Sequence, residues 1–141
     1  MAPFNKFNAF TENVAEKVHN LGADTLKVML TNTAPTSANG IKSDITEIAA
    51  GNGYTAGGTA ATITSSTQTA GVYKLVLADV IFTAAGGTIG PFRYAVLYND
   101  TPTSPLKPLI GWHDYGSAVT LNASETFTWD ADPTNGVLTI T

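Results

Sequence analysis

Short segments in which apolar and polar residues alternate occupy most of the chain beyond Gly22, and glycine or proline separates most of them. In "TLKVMLT", residues 25–31, Leu26, Val28 and Leu30 share one face, as in a strand with one buried side. Similar patterns predict further strands at 61–65, 72–83, 89–99, 107–115, 118–121, 125–131 and 136–141. Eight short strands with little helix predict an all-β fold, an antiparallel β-sandwich of jelly-roll type.

Two segments support more detailed predictions. "VYKLVLADVIF", residues 72–82, is apolar on both faces, which predicts a central strand with a bulge at Ala78–Asp79 that switches its facing. "DPTNGVLTIT", residues 132–141, predicts a terminal hairpin in which Asn135 and Gly136 supply the positive φ angles of a tight turn.

The regions 1–22 and 32–60 differ from the strands. Phe10, Val14, Val18 and Leu21 recur at spacings of four, four and three, which predicts a short helix in the N-terminal arm. Its start is assigned to a Thr11 cap and its end to Gly22. Residues 32–60 are rich in Thr, Ala, Asn and Gly and are too long for an ordinary connection, so this excursion is predicted to be flexible and functional or ordered by a partner.

Length and composition limit the function classes. A chain of 141 residues suits one core, so residues 1–141 are predicted to form a single domain. Seven Lys and Arg residues are scattered in a chain of net charge −4, which argues against nucleic-acid binding. The sequence contains no cysteine, no apolar run that predicts a membrane span and no signal-peptide pattern at its start. These features predict a soluble, unexported protein.

The glycine-rich stretch "GNGYTAGG", residues 51–58, resembles a phosphate-binding loop only superficially. It lacks the lysine of a P-loop and the spacing of a dinucleotide loop, and no helix pattern follows it. We therefore predict no cofactor, and interpret the glycines as residues that permit unusual backbone angles around Tyr54.

Three other motifs have structural explanations that we favour. In "GWHDYGS", residues 111–117, neighbours on a strand point to opposite faces, so His113 and Asp114 are not expected to orient each other as in a catalytic triad. "DADPTNG", residues 130–136, departs from calcium-loop spacing and suits a turn. "DTPTSPLKP", residues 100–108, has proline at every third position and is interpreted as a stiff loop between strands, with a polyproline ligand as the alternative. These assignments leave no predicted catalytic or metal site, and so favour a structural or binding module over an enzyme.

Four longer strings carry a resemblance to a known family. "LGADTLKVMLTNTAP" (21–35), "ITEIAAGNGYTAGG" (45–58), "YKLVLADVIFTAAGGTIGPFRYAVLYNDTP" (73–102) and "LIGWHDYGSAVTL" (109–121) resemble small proteins encoded among the head genes of tailed bacteriophages. These in turn are similar to jelly-roll cement or decoration proteins that bind the outside of the capsid.

The resemblance implies a structural protein of the virion exterior, made in the bacterial cytoplasm, with the major capsid protein as partner. It implies clamping of neighbouring capsomers and, by symmetry, a homodimer or homotrimer. The predicted contact residues are Phe4, Phe7 and Phe10 in the arm, together with Tyr54 and the segment 32–60. A fibre or tail module that binds host-surface glycan through Trp112 and Tyr115 is the first alternative, and a hydrolase using His113 or Asp114 is a distant one.

Overall fold

The computed structural model describes residues 2–141, which form ten strands, one α-helix and one 3-10 helix. The elements are β1 (Phe4–Lys6), α1 (Asn8–Ala15), β2 (Leu26–Thr31), the 3-10 helix (Lys42–Asp44), β3 (Thr59–Ala61), β4 (Ile63–Thr69), β5 (Val72–Leu77), β6 (Val80–Thr83), β7 (Ile89–Asn99), β8 (Leu109–Leu121), β9 (Thr126–Trp129) and β10 (Leu138–Ile140). The all-β prediction and the short N-terminal helix are confirmed.

The strands form three antiparallel sheets in a sandwich-like arrangement. A five-stranded sheet has the order β1-β8-β7-β2-β3, a three-stranded sheet has the order β10-β5-β4, and β6 pairs with β9. The main core lies between the five-stranded sheet and the two smaller sheets. It joins the predicted inner face of β2, Leu26, Val28 and Leu30, to residues of the smaller sheets such as Leu75 and Phe82.

A second, smaller core covers the opposite face of the five-stranded sheet. Phe7, Met29, Val96, Tyr98 and Leu109 form it, and Ile45 and Trp112 pack against it. This core explains why β7 is buried on both faces near its C-terminal end, although it belongs to an antiparallel sheet.

The N-terminal helix differs from its prediction. It begins after Phe7, so Thr11 lies inside it and accepts a hydrogen bond from Lys6 Nζ (2.6 Å) instead of capping it. It ends at Ala15, because Lys17 adopts a left-handed φ of 67° well before Gly22.

Several strand predictions also need correction. Residues 72–83 are two strands in different sheets, and the chain crosses between them at Ala78–Asp79, where a bulge is predicted. The segments 107–115 and 118–121 belong to one strand, β8. The prediction of a terminal hairpin is wrong, because β10 pairs with β5. Of the predicted turn residues Asn135 and Gly136, only Gly136 has a positive φ.

The segment 32–60 is packed against the sheet, which makes the prediction of a flexible excursion wrong. β3 pairs with β2 only as far as Val28, and beyond it the edge of β2 is satisfied by the excursion. The backbone N–H of Ile48 donates to Leu30 O (3.1 Å), and the Tyr54 hydroxyl accepts from Leu30 N (3.0 Å). The excursion therefore takes the place of a neighbouring strand at this edge.

Candidate binding cleft between β8 and β9

An irregularity in β8 opens a cleft on the main-core side of the five-stranded sheet. Tyr94 pairs with Asp114 and Phe92 with Val119, so residues 115–118 of β8 face only Arg93 on β7. Gly116, with a φ of +102°, permits this wide bulge. The cleft beside it has a volume of about 240 Å³ and lies between β7–β8 and β9, and Ala2 also lines it.

Aromatic rings form the walls of the cleft. Tyr115 projects from the bulge and meets Phe127 of β9 at a ring-centroid distance of 5.4 Å and an angle of 73°. Phe127 in turn lies edge-on to Phe92, at 5.0 Å. Tyr115 is 58% exposed, which is unusual for a large aromatic residue packed at the end of such a row. The cleft therefore presents an accessible aromatic surface with a fixed orientation.

A bidentate ion pair joins β7 to β8 beside the bulge. Arg93 Nε and Nη2 donate to the two carboxylate oxygens of Asp114, at 2.7 and 3.0 Å. Gly116 N also donates to Asp114 Oδ1 (2.8 Å). The hydrogen bonds from Arg93 and then from Gly116 lower the pKa of Asp114. Because both side chains are about a third exposed, the pair serves orientation more than stability.

His113 is one of the residues that line the cleft, and its side chain is neutral. Trp129 Nε1 donates to His113 Nδ1 (3.0 Å), which places the ring hydrogen on Nε2. Burial lowers the pKa of His113, and the Asp130 carboxylate opposes that effect. The ring also packs on Phe4, at a centroid distance of 5.1 Å.

The geometry of "GWHDYGS" follows the strand prediction. His113 bonds to Trp129, whereas Asp114 bonds to Arg93 and Gly116. Within residues 2–141, no hydrogen bond joins His113 to Asp114 or to Ser117. The prediction that the two neighbours do not orient each other is confirmed. His113 lies within the sheet, where it pairs with Phe4 on one side and Ala95 on the other.

Three of the four predicted contact residues lie in the cores. Phe7 is fully buried in the second core, and Phe10 and Tyr54 are 4% and 3% exposed in the main core. These three side chains therefore have core roles and offer almost no area for contact with a partner. Phe4 alone is half-buried, because β1 pairs with the edge of β8 and places it on His113.

The glycine-rich stretch around Tyr54 is held by one carboxylate. Glu47 Oε1 accepts hydrogen bonds from the Tyr54 hydroxyl and from Gly57 N, both at 2.6 Å. Glu47 Oε2 is 3.2 Å from Lys42 Nζ. A Cβ atom at Gly58 would overlap the backbone oxygen of Val28, so this position requires glycine for close approach as well as for its φ of +79°. The prediction that the glycines permit unusual backbone angles is confirmed.

The other motifs also occupy structural positions. Asp132 accepts hydrogen bonds from Asn135 N (3.0 Å) and Asn135 Nδ2 (2.9 Å), which confirms the predicted turn in "DADPTNG". The proline-rich residues 100–108 join β7 to β8, as predicted. Among residues 2–141, no group of three His, Asp or Glu side chains is arranged to hold a metal ion. The helices within this range are too short or too polar to cross a bilayer.

The cleft was only partly visible in the sequence. Trp112 and Tyr115 are three residues apart, but the fold places Trp112 against Phe7, at 4.6 Å, on the other face of the sheet. Tyr115 instead joins Phe127 and Trp129 of β9. The alternation in "TFTWDA" indicated that Phe127 and Trp129 share a face, but not that this face lies opposite the β8 bulge.

Comparison of the chain with protein-family models, curated proteins and solved structures finds no match.

Proposed function

We propose that the chain is a structural virion protein that decorates the outer surface of a tailed-phage head. It binds the major capsid protein and stabilises the shell by clamping neighbouring capsomers. A jelly-roll relationship of the sandwich, and a homodimer or homotrimer on a local symmetry axis, belong to the same proposal.

The observation that carries the proposal is the position of the four strings that resemble the phage family. They include β2, residues 45–58 of the excursion that satisfies its edge, nearly all of β5, and the whole of β6, β7 and β8. Both cores draw most of their residues from these strings. The resemblance therefore extends over the scaffold of the fold and is not confined to a single motif.

The surface is compatible with attachment to a protein lattice. The outward-facing positions of β9 and of the end of β6 are threonines, Thr126, Thr128 and Thr83, which are uncharged. A net charge of −4 disfavours adhesion to packaged DNA. Each contact can be modest, since a symmetric oligomer that bridges several capsid subunits gains from effective concentration.

Attachment is assigned to apolar side chains that the fold leaves exposed. Ile81 on β6 is 60% exposed, and Leu106 in the β7–β8 loop is 55% exposed. Both contribute little to the cores, so Ile81→Ser and Leu106→Ser are expected to fold normally and to weaken binding to heads. These residues replace Phe7, Phe10 and Tyr54 as the proposed contacts.

Fractionation of virions tests the proposal. A head decoration protein is expected at hundreds of copies per particle and in heads that lack tails. A fibre or tail module that binds host glycan is the second candidate, favoured by the exposed ring of Tyr115. Such a module would occur in tens of copies and would be absent from tailless heads, and that result would overturn the head assignment.

A further inference from the structure

The sandwich is open along one side, where strand edges of its two layers face each other. β1 is the last strand of the five-stranded sheet on this side, and within residues 2–141 β9 and β10 each have a single neighbouring strand. β9 pairs with β6 and β10 with β5, so the two edge strands follow each other along the smaller sheets. The backbone edges of β1 and β10 are therefore free to pair with an added strand.

A groove follows this open side. It consists of four cavities in a row, with volumes from about 220 to about 370 Å³. Neighbouring cavities share the lining residues Ala2 and His113, then Phe4 and Val137, and finally Lys6 and Phe10. Phe127 and Ile140, near its two ends, pair with Phe82 and Tyr73 on the adjacent strands, which limits the groove to about 30 Å at roughly 3.3 Å per residue.

We propose that this groove binds an extended segment of a partner protein, which adds as a strand antiparallel to β10. The segment has apolar side chains at alternate positions and a basic residue near its C-terminal end. A groove of this length accommodates about nine extended residues.

Half-buried apolar side chains in the groove favour an extended segment. Phe4, Val14 and Leu138 line it and pack against the main core, but each keeps part of its surface exposed. An extended segment points alternate side chains to one face, so it covers these residues while its other side chains stay in water. A helix in the same place would leave the free N–H and C=O groups of β1 and β10 without protein partners.

Charges in the two halves of the groove match a segment with one basic residue. Asp130 and Asp132 line the half near β9, and no ion pair within residues 2–141 includes either carboxylate. Burial lowers the pKa of His113 and the Asp130 carboxylate opposes this effect, which places that carboxylate near the imidazole. Lys6 lines the other half, where its Nζ donates to Thr11 Oγ1 (2.6 Å). A basic residue is therefore attracted to the Asp130 half and repelled from the Lys6 half.

The direction of the segment follows from that of β10. This strand runs from Leu138, in the cavity beside Phe4, to Ile140, in the cavity beside α1. An antiparallel partner therefore starts at α1 and ends toward Asp130. Since antiparallel pairs are slightly more stable per residue than parallel ones, the basic residue belongs near the C-terminal end of the segment.

The inference goes beyond head decoration. It concerns a surface separate from Ile81 and Leu106, and strand addition can be measured on the isolated chain. It holds whichever protein supplies the segment.

An NMR titration of the isolated protein in low-salt buffer tests the inference. The probes are blocked peptides of about nine residues, in which valine, leucine or phenylalanine alternates with threonine and a lysine precedes the C-terminal residue. We expect at least one of them to shift the backbone amides of residues 4–6, 128–132 and 138–140. The expected dissociation constant is about 0.1 mM, because so short a segment buries less than the roughly 1,600 Å² of a standard interface.

Two further peptides test the pairing and the direction. The reversed sequence, with its lysine near the N-terminus, is expected to bind at least about fivefold more weakly, because it meets Lys6 or must pair in parallel. A peptide with proline in place of each threonine lacks the N–H groups of the ladder, and no binding is expected.

A charge exchange tests the role of Asp130. Asp130→Lys is expected to weaken binding of the lysine peptide by about tenfold, because attraction is replaced by repulsion. The same variant should bind a peptide with glutamate in place of lysine more tightly than wild type does. Glu16→Lys is the matched control, since it makes the same change of charge at an exposed residue outside the groove and leaves binding unchanged.

Three results would overturn the inference. One is the absence of groove shifts with every lysine peptide at about 1 mM, well above the expected dissociation constant. Another is equal affinity of wild type and Asp130→Lys for the lysine peptide. A third is a concentration-dependent dimer of the isolated chain that protects the amides of 138–140, which would identify a second copy as the occupant. None of these results bears on head decoration, which virion fractionation and the Ile81→Ser and Leu106→Ser variants test separately.

Discussion

Replacement of Tyr54 by phenylalanine removes one oxygen atom and two hydrogen bonds from the protein interior. The Tyr54 hydroxyl donates to Glu47 Oε1 (2.6 Å) and accepts from Leu30 N (3.0 Å). Burial is the main reason that the pKa of Tyr54 is raised, so the hydroxyl stays protonated and keeps both roles at any ordinary pH. In Tyr54→Phe, Glu47 retains its hydrogen bond from Gly57 N and its ion pair with Lys42. The Leu30 N–H loses its hydrogen-bond partner, because β3 pairs with β2 only as far as Val28.

The magnitude follows from those two bonds. An unpaired buried N–H costs about 1–3 kcal/mol, and a hydrogen bond to a charged group contributes about 1.5–3 kcal/mol. The two effects share one hydroxyl and are not additive, so we expect a loss of about 2–4 kcal/mol in the free energy of unfolding. At 141 residues, each kcal/mol corresponds to about 3 °C, which predicts a fall in Tm of about 6–12 °C.

Urea unfolding and calorimetry of Tyr54→Phe measure this loss, with Tyr115→Phe as the matched control. The control removes the same atom from an exposed ring, whose hydroxyl has no hydrogen-bond partner within residues 2–141. Its stability is expected to stay within about 0.5 kcal/mol of wild type. A Tm of Tyr54→Phe within about 2 °C of wild type would refute the reasoning that Tyr54 and Glu47 complete the edge of β2.

Three further predictions concern the loop, the acid response and the capsid. Gly58→Ala is expected to lower the free energy of unfolding in urea by about 3–5 kcal/mol, because its Cβ would meet Val28 O. The control Gly86→Ala has a similar φ of +76° and open space around it, so its free energy of unfolding is expected to fall by about 1 kcal/mol. Equal losses in the two variants would contradict the packing argument. Burial lowers the pKa of His19 from 6.5 to about 4. As the pH falls, the imidazole is therefore protonated in the unfolded chain before it is protonated in the folded protein, and the unfolded state is favoured. The free energy of unfolding should fall by about 3 kcal/mol from pH 6.5 to pH 4. His19→Gln should flatten that slope, and parallel curves for the two proteins would exclude His19 as its source. Heads stripped of the protein should release DNA at a lower temperature than intact heads, and equal release temperatures would be inconsistent with a clamp.

Local patterns were sufficient to predict the fold class and the strand β2. Alternation of Leu26, Val28 and Leu30 identified a strand, and these residues do face the main core. The pairing of strands could not be obtained in the same way, because it depends on residues far apart in the sequence. Gly136 adopts a positive φ as predicted, but β10 continues to β5 because Leu138 pairs with Leu75.

The contact residues were mispredicted for a related reason. Phe7 and Tyr54 lie in segments without a strand pattern, and such segments are often exposed connections. Here β1 adds to the edge of β8 and carries Phe7 onto the second face of the sheet, while the excursion 32–60 places Ile45 on that face and Tyr54 in the main core. A sheet with both faces covered needs apolar residues from its connections, and that requirement appears only once the sheet is assembled.

The candidate cleft shows the same limit. Tyr115 was identifiable as an aromatic residue outside the apolar pattern, but its neighbours Phe127 and Arg93 come from β9 and β7. The wide bulge at 115–118 depends on the register between β7 and β8, which alternation alone does not determine.

An icosahedral reconstruction of heads with and without this protein tests the central claim most directly. Head decoration predicts difference density on the outer surface of the shell, in units that fit the 14.7 kDa chain and lie on local two-fold or three-fold axes. Identical shells in the two reconstructions, with the protein located only on tails or fibres, would contradict the assignment.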